Sequence, residues 1–198
     1  VELINAKKNN IILDACCAPG GKSSLIAANL NNLVQLHCLD INTNRITRTK
    51  NNFNRLNVKN VKFMCDNALS FNSQVKYDKI LLDLPCSSSG TIRKNPDIKW
   101  KLTNVGIKDF QYAQYSILTN LSKLLNINGE IIYSTCSLFT EENEENIIHF
   151  LKNYTEFKIS DIDVNLPNFI FNNIGGITIL PNKYDYEGMF AIKLRKNA

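Results

Sequence analysis

Two cysteines and an aspartate carry the first chemical suggestion in this sequence. Cys86 stands in "LLDLPCSSSG", three residues after Asp83, and Cys136 stands in "IIYSTCSLFTEEN". A thiolate is a strong carbon nucleophile, and a nearby carboxyl or second thiol can supply or remove a proton. A lone cysteine is more often a small core residue than a nucleophile. Both of these, however, follow apolar runs of strand length and have small polar neighbours, Ser87, Ser88 and Ser89 on one side and Ser134 and Ser137 on the other, which favours reactivity. Cys16, Cys17, Cys38 and Cys65 lack that context and are read as core or as the wall of a cradle. A thiol hydrolase would need a histidine base, and His37 and His149 fall inside a strand and a helix, where packing or surface roles suit them better.

A second constellation lies upstream. "DACCAPGGKSS" sits where a first strand turns into a first helix, the place where ligands bind in doubly wound folds. Gly20 and Gly21 remove side chains so that backbone can approach a ligand, and Pro19 stiffens the turn. The stretch is not a phosphate loop: the first glycine of that pattern would fall at Ala15 or Cys16. Asp40 follows twenty residues after Gly20, where an acid can take both ribose hydroxyls. Asp66, after the next strand, can accept from an exocyclic amine of adenine. Together they fit a nucleoside-bearing cofactor without a diphosphate, although each aspartate alone is equally well an ordinary turn or cap residue.

These residues need a scaffold, and the hydrophobic pattern predicts one. Short apolar runs over residues 11–15, 34–39, 61–64, 79–82 and 130–134 alternate with helical periods over 22–30, 44–56 and 109–125. That is the pattern of a parallel sheet covered on both faces. Asn128-Gly129 reads as a C-terminal helix stop, and Thr140 with Glu141 and Glu142 as the start of a helix through 151. "GMFAIKLRK" alternates as a closing strand, with another expected within residues 170–180. In such a sheet Cys86 and Cys136 leave neighbouring strands at the edge that carries the cradle. The chain of 198 residues, 44% hydrophobic, suits one domain. Its formal charge of +5 favours a polyanionic partner without requiring one. Six cysteines without paired metal spacing, no apolar stretch of spanning length and no signal-like start predict a metal-free cytoplasmic protein, expected to be a monomer.

"DACCAPGGKS", "LDIN", "LLDLPCSSSGTIRKNPDIKW" and "YSTCSLFTEEN", in that order and spacing, resemble the RNA (cytosine-5) methyltransferases of the Sun or RsmB type over residues 11–194. The resemblance implies a Rossmann-like α/β methyltransferase fold with a mostly parallel sheet and an antiparallel C-terminal strand. It implies S-adenosyl-L-methionine as cofactor, held by Cys16, Cys17, Ala18, Pro19, Gly20, Gly21, Lys22, Asp40, Asp66 and Asp83. It makes Cys136 the nucleophile toward carbon 6 of cytosine, Cys86 the residue that assists product release, and Asp83 the partner of ring nitrogen 3. Lys22 would position the cofactor or lower a thiol pKa. Arg93, Lys94, Lys99 and Trp100 would contact RNA, unless Trp100 tucks against the core. Small-subunit (16S) ribosomal RNA is the implied substrate, with transfer RNA the alternative; a DNA enzyme would lack the second thiol motif. Family members also carry an N-terminal RNA-binding region, and this chain begins about ten residues before its first strand, so the expectation is one catalytic domain over residues 1–198 without that region. A truncated RNA-binding remnant is the competing reading. Three positions depart from the family pattern: Cys17 and Leu84 replace alanine and Cys65 replaces glycine, and the bulk of Leu84 is expected to narrow the pocket.

Overall fold

A computed structural model describes residues 1–162, 170–181 and 186–198. Five strands, β1 (Ile11–Ala15), β2 (Gln35–Asp40), β3 (Val61–Cys65), β4 (Tyr77–Asp83) and β5 (Leu125–Thr135), pair in parallel in the order β3-β2-β1-β4-β5. The sheet continues in antiparallel fashion. β9 (Met189–Lys196) pairs with β5, and its other edge is shared by β6 (Phe157–Ile159) and β8 (Ile177–Ile179), with β7 (Ile170–Phe171) beyond.

Strand alternation explains why both faces are apolar. Leu13, Ile80, Leu82, Ile131 and Tyr133 point into one core, where Ile117, Leu118 and Leu121 of α4 (Asn104–Ser122) and Ile147 and Phe150 of α5 (Glu144–Asn153) meet them. Their sequence neighbours Ile12, Leu81 and Ile132 point to the other face, against Ile26 and Ala27 of α1 (Gly21–Asn29) and Ile46 and Phe53 of α2 (Thr43–Arg55). Each fully buried Leu, Ile or Phe contributes about 1.5–3 kcal/mol of hydrophobic burial, so the strands are held in register from both sides. The chain runs outward from β1 to β3 and then restarts at β4, which leaves a crevice at the carboxyl ends of β1 and β4.

Three sequence expectations shift. α4 starts five residues before 109 because Thr103 caps it, its Oγ1 accepting from Gly106 N at 3.0 Å. Asn128-Gly129 ends no helix: Asn128, at φ 64°, and Gly129 form an irregularity inside β5, where the pairing jumps from Tyr77↔Leu125 to Lys79↔Glu130. The same residue types serve both purposes, which is why local sequence did not separate them. Thr140 precedes α5 in a turn, its carbonyl accepting from the N–H groups of Asn143 and Glu145, and the acids of the first helical turn are Glu144 and Glu145. Among the described residues no helix is long and apolar enough to cross a membrane, and no group of three metal-ligating side chains forms.

Candidate active site

All the predicted site residues except those of the basic loop gather at the carboxyl edge of the parallel strands. Cys16 to Gly20 form the turn out of β1, Asp40 ends β2, Asp66 follows β3, Asp83 ends β4, and Cys86 and Cys136 follow β4 and β5. The cradle is built by backbone. Cys16 adopts φ 63° and Gly20 φ 91°. A side chain on Gly20 would place its Cβ 2.4 Å from Phe53 Cε1 and 2.6 Å from Thr49 Cγ2, so glycine is what lets the turn rest on α2. At Gly21 no atom lies within 4 Å of the Cβ position, and space is open there for a ligand. Asp40 is 3% exposed. Its Oδ1 accepts from Asn42 N at 3.0 Å, and its Oδ2 takes Ala18 N at 3.3 Å and the Arg45 guanidinium at 3.4 Å. Arg45 also donates to Ala18 O at 3.0 Å, so it straps β2 to the cradle. Asp66 is exposed, with its carboxylate on Asn67 N at 2.7 Å.

Asp83 joins the cradle to the thiols. Its Oδ2 is 2.5 Å from Lys22 Nζ, and its Oδ1 accepts from Ser134 Oγ at 3.1 Å. Leu84 does not narrow this space: it is 4% exposed and packs in the core with Ile117 and Ile147, so its bulk fills the interior. Cys17 is likewise buried, against Cys38.

The pairing Asp83↔Ser134 fixes the ends of β4 and β5 side by side, and the two thiols meet just beyond, Sγ to Sγ 3.1 Å. All six cysteines are free. The backbone ties the loops together, with Gly90 N donating to Cys136 O at 2.8 Å and Leu138 N to Ser89 Oγ at 2.9 Å. Gly90 has to be glycine, since a Cβ there would lie 2.2 Å from Gly188 O and 2.8 Å from Cys136 O.

The pair is electrostatically unequal. The Cys86 thiol donates to Cys136, which holds Cys136 well below the ordinary thiol value, at about 6, against the opposing effect of burial. Ser88 Oγ lies 3.4 Å from Cys136 Sγ, and its rotatable hydroxyl donates once the sulfur is a thiolate. Cys86 is pushed up, first by the same hydrogen bond and then by burial. Burial also pushes Cys16 up to about 12, and Cys17 rises through its hydrogen bond to Cys38. Cys136 is therefore the thiol poised to be a thiolate at neutral pH.

Of the predicted RNA contacts, Trp100 is not tucked in: it is 80% exposed, with Lys99 Nζ 4.7 Å from its ring centroid. Lys94 pairs with Glu187 at 2.8 Å, and Arg93 is exposed. A cavity of about 480 Å³ opens between Ser87, Ser88 and the segment from Asn95 to Phe110. The histidines are engaged elsewhere, His37 with Tyr77 and His149 with Tyr115. Sequence reasoning missed Arg45, Ser134, Gln114 and Glu142. Arg45 and Ser134 lay beside recognised motifs, but nothing in the sequence marked Gln114 or Glu142 as facing inward.

Known proteins resemble this chain along nearly its whole length. Ribosomal RNA small subunit methyltransferase B of Shewanella oneidensis is 34% identical over 196 residues, 98% of this chain and 45% of that protein. The protein of the same name from Pasteurella multocida is 35% identical over 204 residues, covering 98% and 44%. The chain thus spans less than half the length of these curated relatives. Among solved structures, NSun6 from Pyrococcus horikoshii, determined with SFG, superposes with a TM-score of 0.90 at 30% identity, over 100% of this chain and 50% of that one. The Rossmann-like methyltransferase fold expected from the sequence is therefore the fold observed. Residues 1–195 match the 16S rRNA methyltransferase RsmB/F family, and the chain belongs to that family.

Proposed function

We propose that this chain is the catalytic part of an S-adenosyl-L-methionine-dependent RNA methyltransferase that methylates carbon 5 of a cytosine, in small-subunit ribosomal RNA, through a Cys136 adduct at carbon 6. The observation that carries the reading is the thiol pair itself, Cys86 and Cys136 brought to 3.1 Å at the end of the cradle, a contact that favours a thiolate on Cys136 and a proton on Cys86. The chemistry needs such a pair. Carbon 5 of cytosine is a weak nucleophile until a thiolate adds to carbon 6 and makes it enamine-like.

The cradle suits the cofactor. Gly21 leaves open space, Asp40 and Asp66 stand at consecutive strand ends as acceptors for ribose hydroxyls and the adenine amine, and Lys22 with Asp83 closes the side toward the thiols. S-adenosyl-L-methionine supplies an electrophilic methyl group there. The protein's own residues do the rest. Cys136 attacks carbon 6. Nitrogen 3 of cytosine needs a donor, so the role expected of Asp83 there passes to the Lys22 ammonium beside it, and the Asp83 carboxylate accepts from the exocyclic amine. After methyl transfer Cys136 is a thioether and no longer holds the Cys86 proton, so Cys86 loses that proton to solvent; its thiolate then takes the carbon 5 proton, and the electron pair left on carbon 5 expels Cys136 from carbon 6. Arg93, Lys94, Lys99 and Trp100 offer phosphate contacts and a stacking plane for the strand.

The test is a denaturing gel of the protein mixed with S-adenosyl-L-methionine and unmethylated 16S ribosomal RNA, comparing the parent, Cys86→Ala and Cys136→Ala. The expected result is a covalent protein–RNA band that accumulates in Cys86→Ala and is absent from Cys136→Ala. No band in any variant, with cofactor binding retained, would favour the RNA-binding remnant instead.

A further inference from the structure

Glu142 is a carboxylate at 0% exposure, a position where an ionised acid is costly unless hydrogen bonds compensate it. Its Oε2 accepts from Ser87 N at 2.9 Å and from Gln114 Nε2 at 2.9 Å, and its Oε1 accepts from Ser137 Oγ at 2.7 Å. The identity of these partners matters more than their number. Ser87 directly follows Cys86, and Ser137 directly follows Cys136. Gln114 Nε2 also donates to Pro85 O at 2.9 Å, so the Cys86 loop is gripped on both sides of its thiol. Ser87 Oγ and Ser137 Oγ are themselves 3.0 Å apart.

The frame behind Glu142 is buried and hydrogen-bonded. Tyr133 donates to the Glu142 backbone carbonyl at 2.5 Å, Asn146 donates to Gln114 Oε1 at 3.3 Å and to Tyr133 Oη at 3.2 Å, and Asn143 Nδ2 holds Ser137 O at 2.9 Å. On the solvent side the loops are tied by the Gly90–Cys136 and Leu138–Ser89 bonds. Glu142 supplies the matching tie from the core side. A carboxylate used only for stability would have no reason to spend every bond on a neighbour of a thiol or on the glutamine that grips the Cys86 loop.

We infer that Glu142 is the positioning residue of the thiol pair, its carboxylate locking the two loops so that Cys86 and Cys136 stay within hydrogen-bond reach of each other. The inference rests on reading Cys136 as the nucleophile, but its test needs no RNA. The titratable groups facing Cys136 are Asp83, which Lys22 pairs, and the neutral Cys86 thiol; Glu142 reaches it only through the loops.

The measurement is the pH dependence of iodoacetamide alkylation at Cys136, read by peptide mass spectrometry, in the parent, Glu142→Ala, Glu142→Gln and Ser137→Ala. Melting curves and S-adenosyl-L-methionine binding report folding. The parent midpoint is expected at about 6. Glu142→Ala should raise it by at least about one unit toward the ordinary thiol value of 9.0. Glu142→Gln, which keeps an oxygen for Ser87 and Gln114, should restore most of the shift, and Ser137→Ala should move the midpoint up by a smaller amount. A lower melting temperature with an unmoved midpoint in folded Glu142→Ala would overturn the inference. Should Glu142→Ala fail to fold, Ser137→Ala decides: a raised midpoint supports the lock and an unchanged one overturns it. Because alkylation is independent of RNA, failure here is distinct from failure to form the RNA adduct.

Discussion

Replacing Cys86 with alanine removes the hydrogen bond that dominates the acidity of Cys136, and the consequence can be worked through. The Cys136 pKa should rise from about 6 toward the ordinary 9.0, a change of three units. At pH 7 the thiolate fraction then falls from about 0.9 to about 0.01, roughly 90-fold. A more basic thiolate is also a better nucleophile, and with a Brønsted coefficient of about 0.4–0.5 three units give back roughly 16- to 32-fold. The net expectation at pH 7 is that Cys136 in Cys86→Ala reacts with iodoacetamide only about 3- to 6-fold more slowly than in the parent. At pH 9 the order inverts, because the parent is already fully ionised while the variant is about half ionised; the variant should be roughly 8- to 16-fold faster. The two rate profiles therefore cross, between about pH 7.5 and pH 8. Rates followed by mass spectrometry of the Cys136 peptide from pH 5 to pH 10 provide the assay. Parallel profiles, or a variant midpoint still near 6, would refute the claim that the two thiols share a proton.

Two further changes probe the cradle. Gly20→Ala should cost about 2–4 kcal/mol in urea denaturation, since a side chain there meets Phe53 and Thr49 at a φ of 91°; Gly21→Ala should leave stability nearly unchanged and weaken S-adenosyl-L-methionine binding in calorimetry, and a Gly20→Ala loss under about 0.5 kcal/mol would count against the packing argument. Asp14 is fully buried, accepts from Ser23 Oγ at 2.5 Å, leaves its Oδ1 without a partner, and is pushed up by burial to about 7. A folded-state pKa above the unfolded one means that the native state binds the proton more tightly, so this group's contribution falls as pH rises from about 4 to about 7, by at most about 4 kcal/mol. Asp14→Asn should abolish that decline, giving a variant that matches the parent near pH 4 and exceeds it at pH 8 in urea midpoint; equal slopes would rule the effect out.

The parallel sheet was legible because β1 and the middle of β4 and β5 are runs in which successive residues must be apolar to face opposite cores, as Ile12 and Leu13 do. The thiols were legible because each follows such a run, so parallel pairing alone brings them to one edge. Boundaries set by side-chain caps were less so: Thr103 reads like any threonine until Gly106 N is seen to need it. Least legible was the support of the site. In "TCSLFTEEN" two adjacent glutamates look alike, and only the fold turns Glu142 fully inward while Glu141 stays half-buried. Leu84 shows the converse, a residue beside the motif whose direction is set by the strand period into the core.

The pairing of the thiols also assigns them an order of use. Cys86 is hard to ionise first because its proton is held by Cys136, and only second because it is buried. Under the proposed mechanism, addition to carbon 6 converts the Cys136 sulfur from a thiolate into a thioether, a far weaker acceptor. The leading cause of the raised Cys86 pKa then disappears while its position does not change. Cys86 thus becomes easier to deprotonate at the stage when a base is needed for the carbon 5 proton, and not before. A single hydrogen bond of 3.1 Å would serve both halves of the cycle, lowering the nucleophile at the start and keeping the base protonated until the nucleophile has been used.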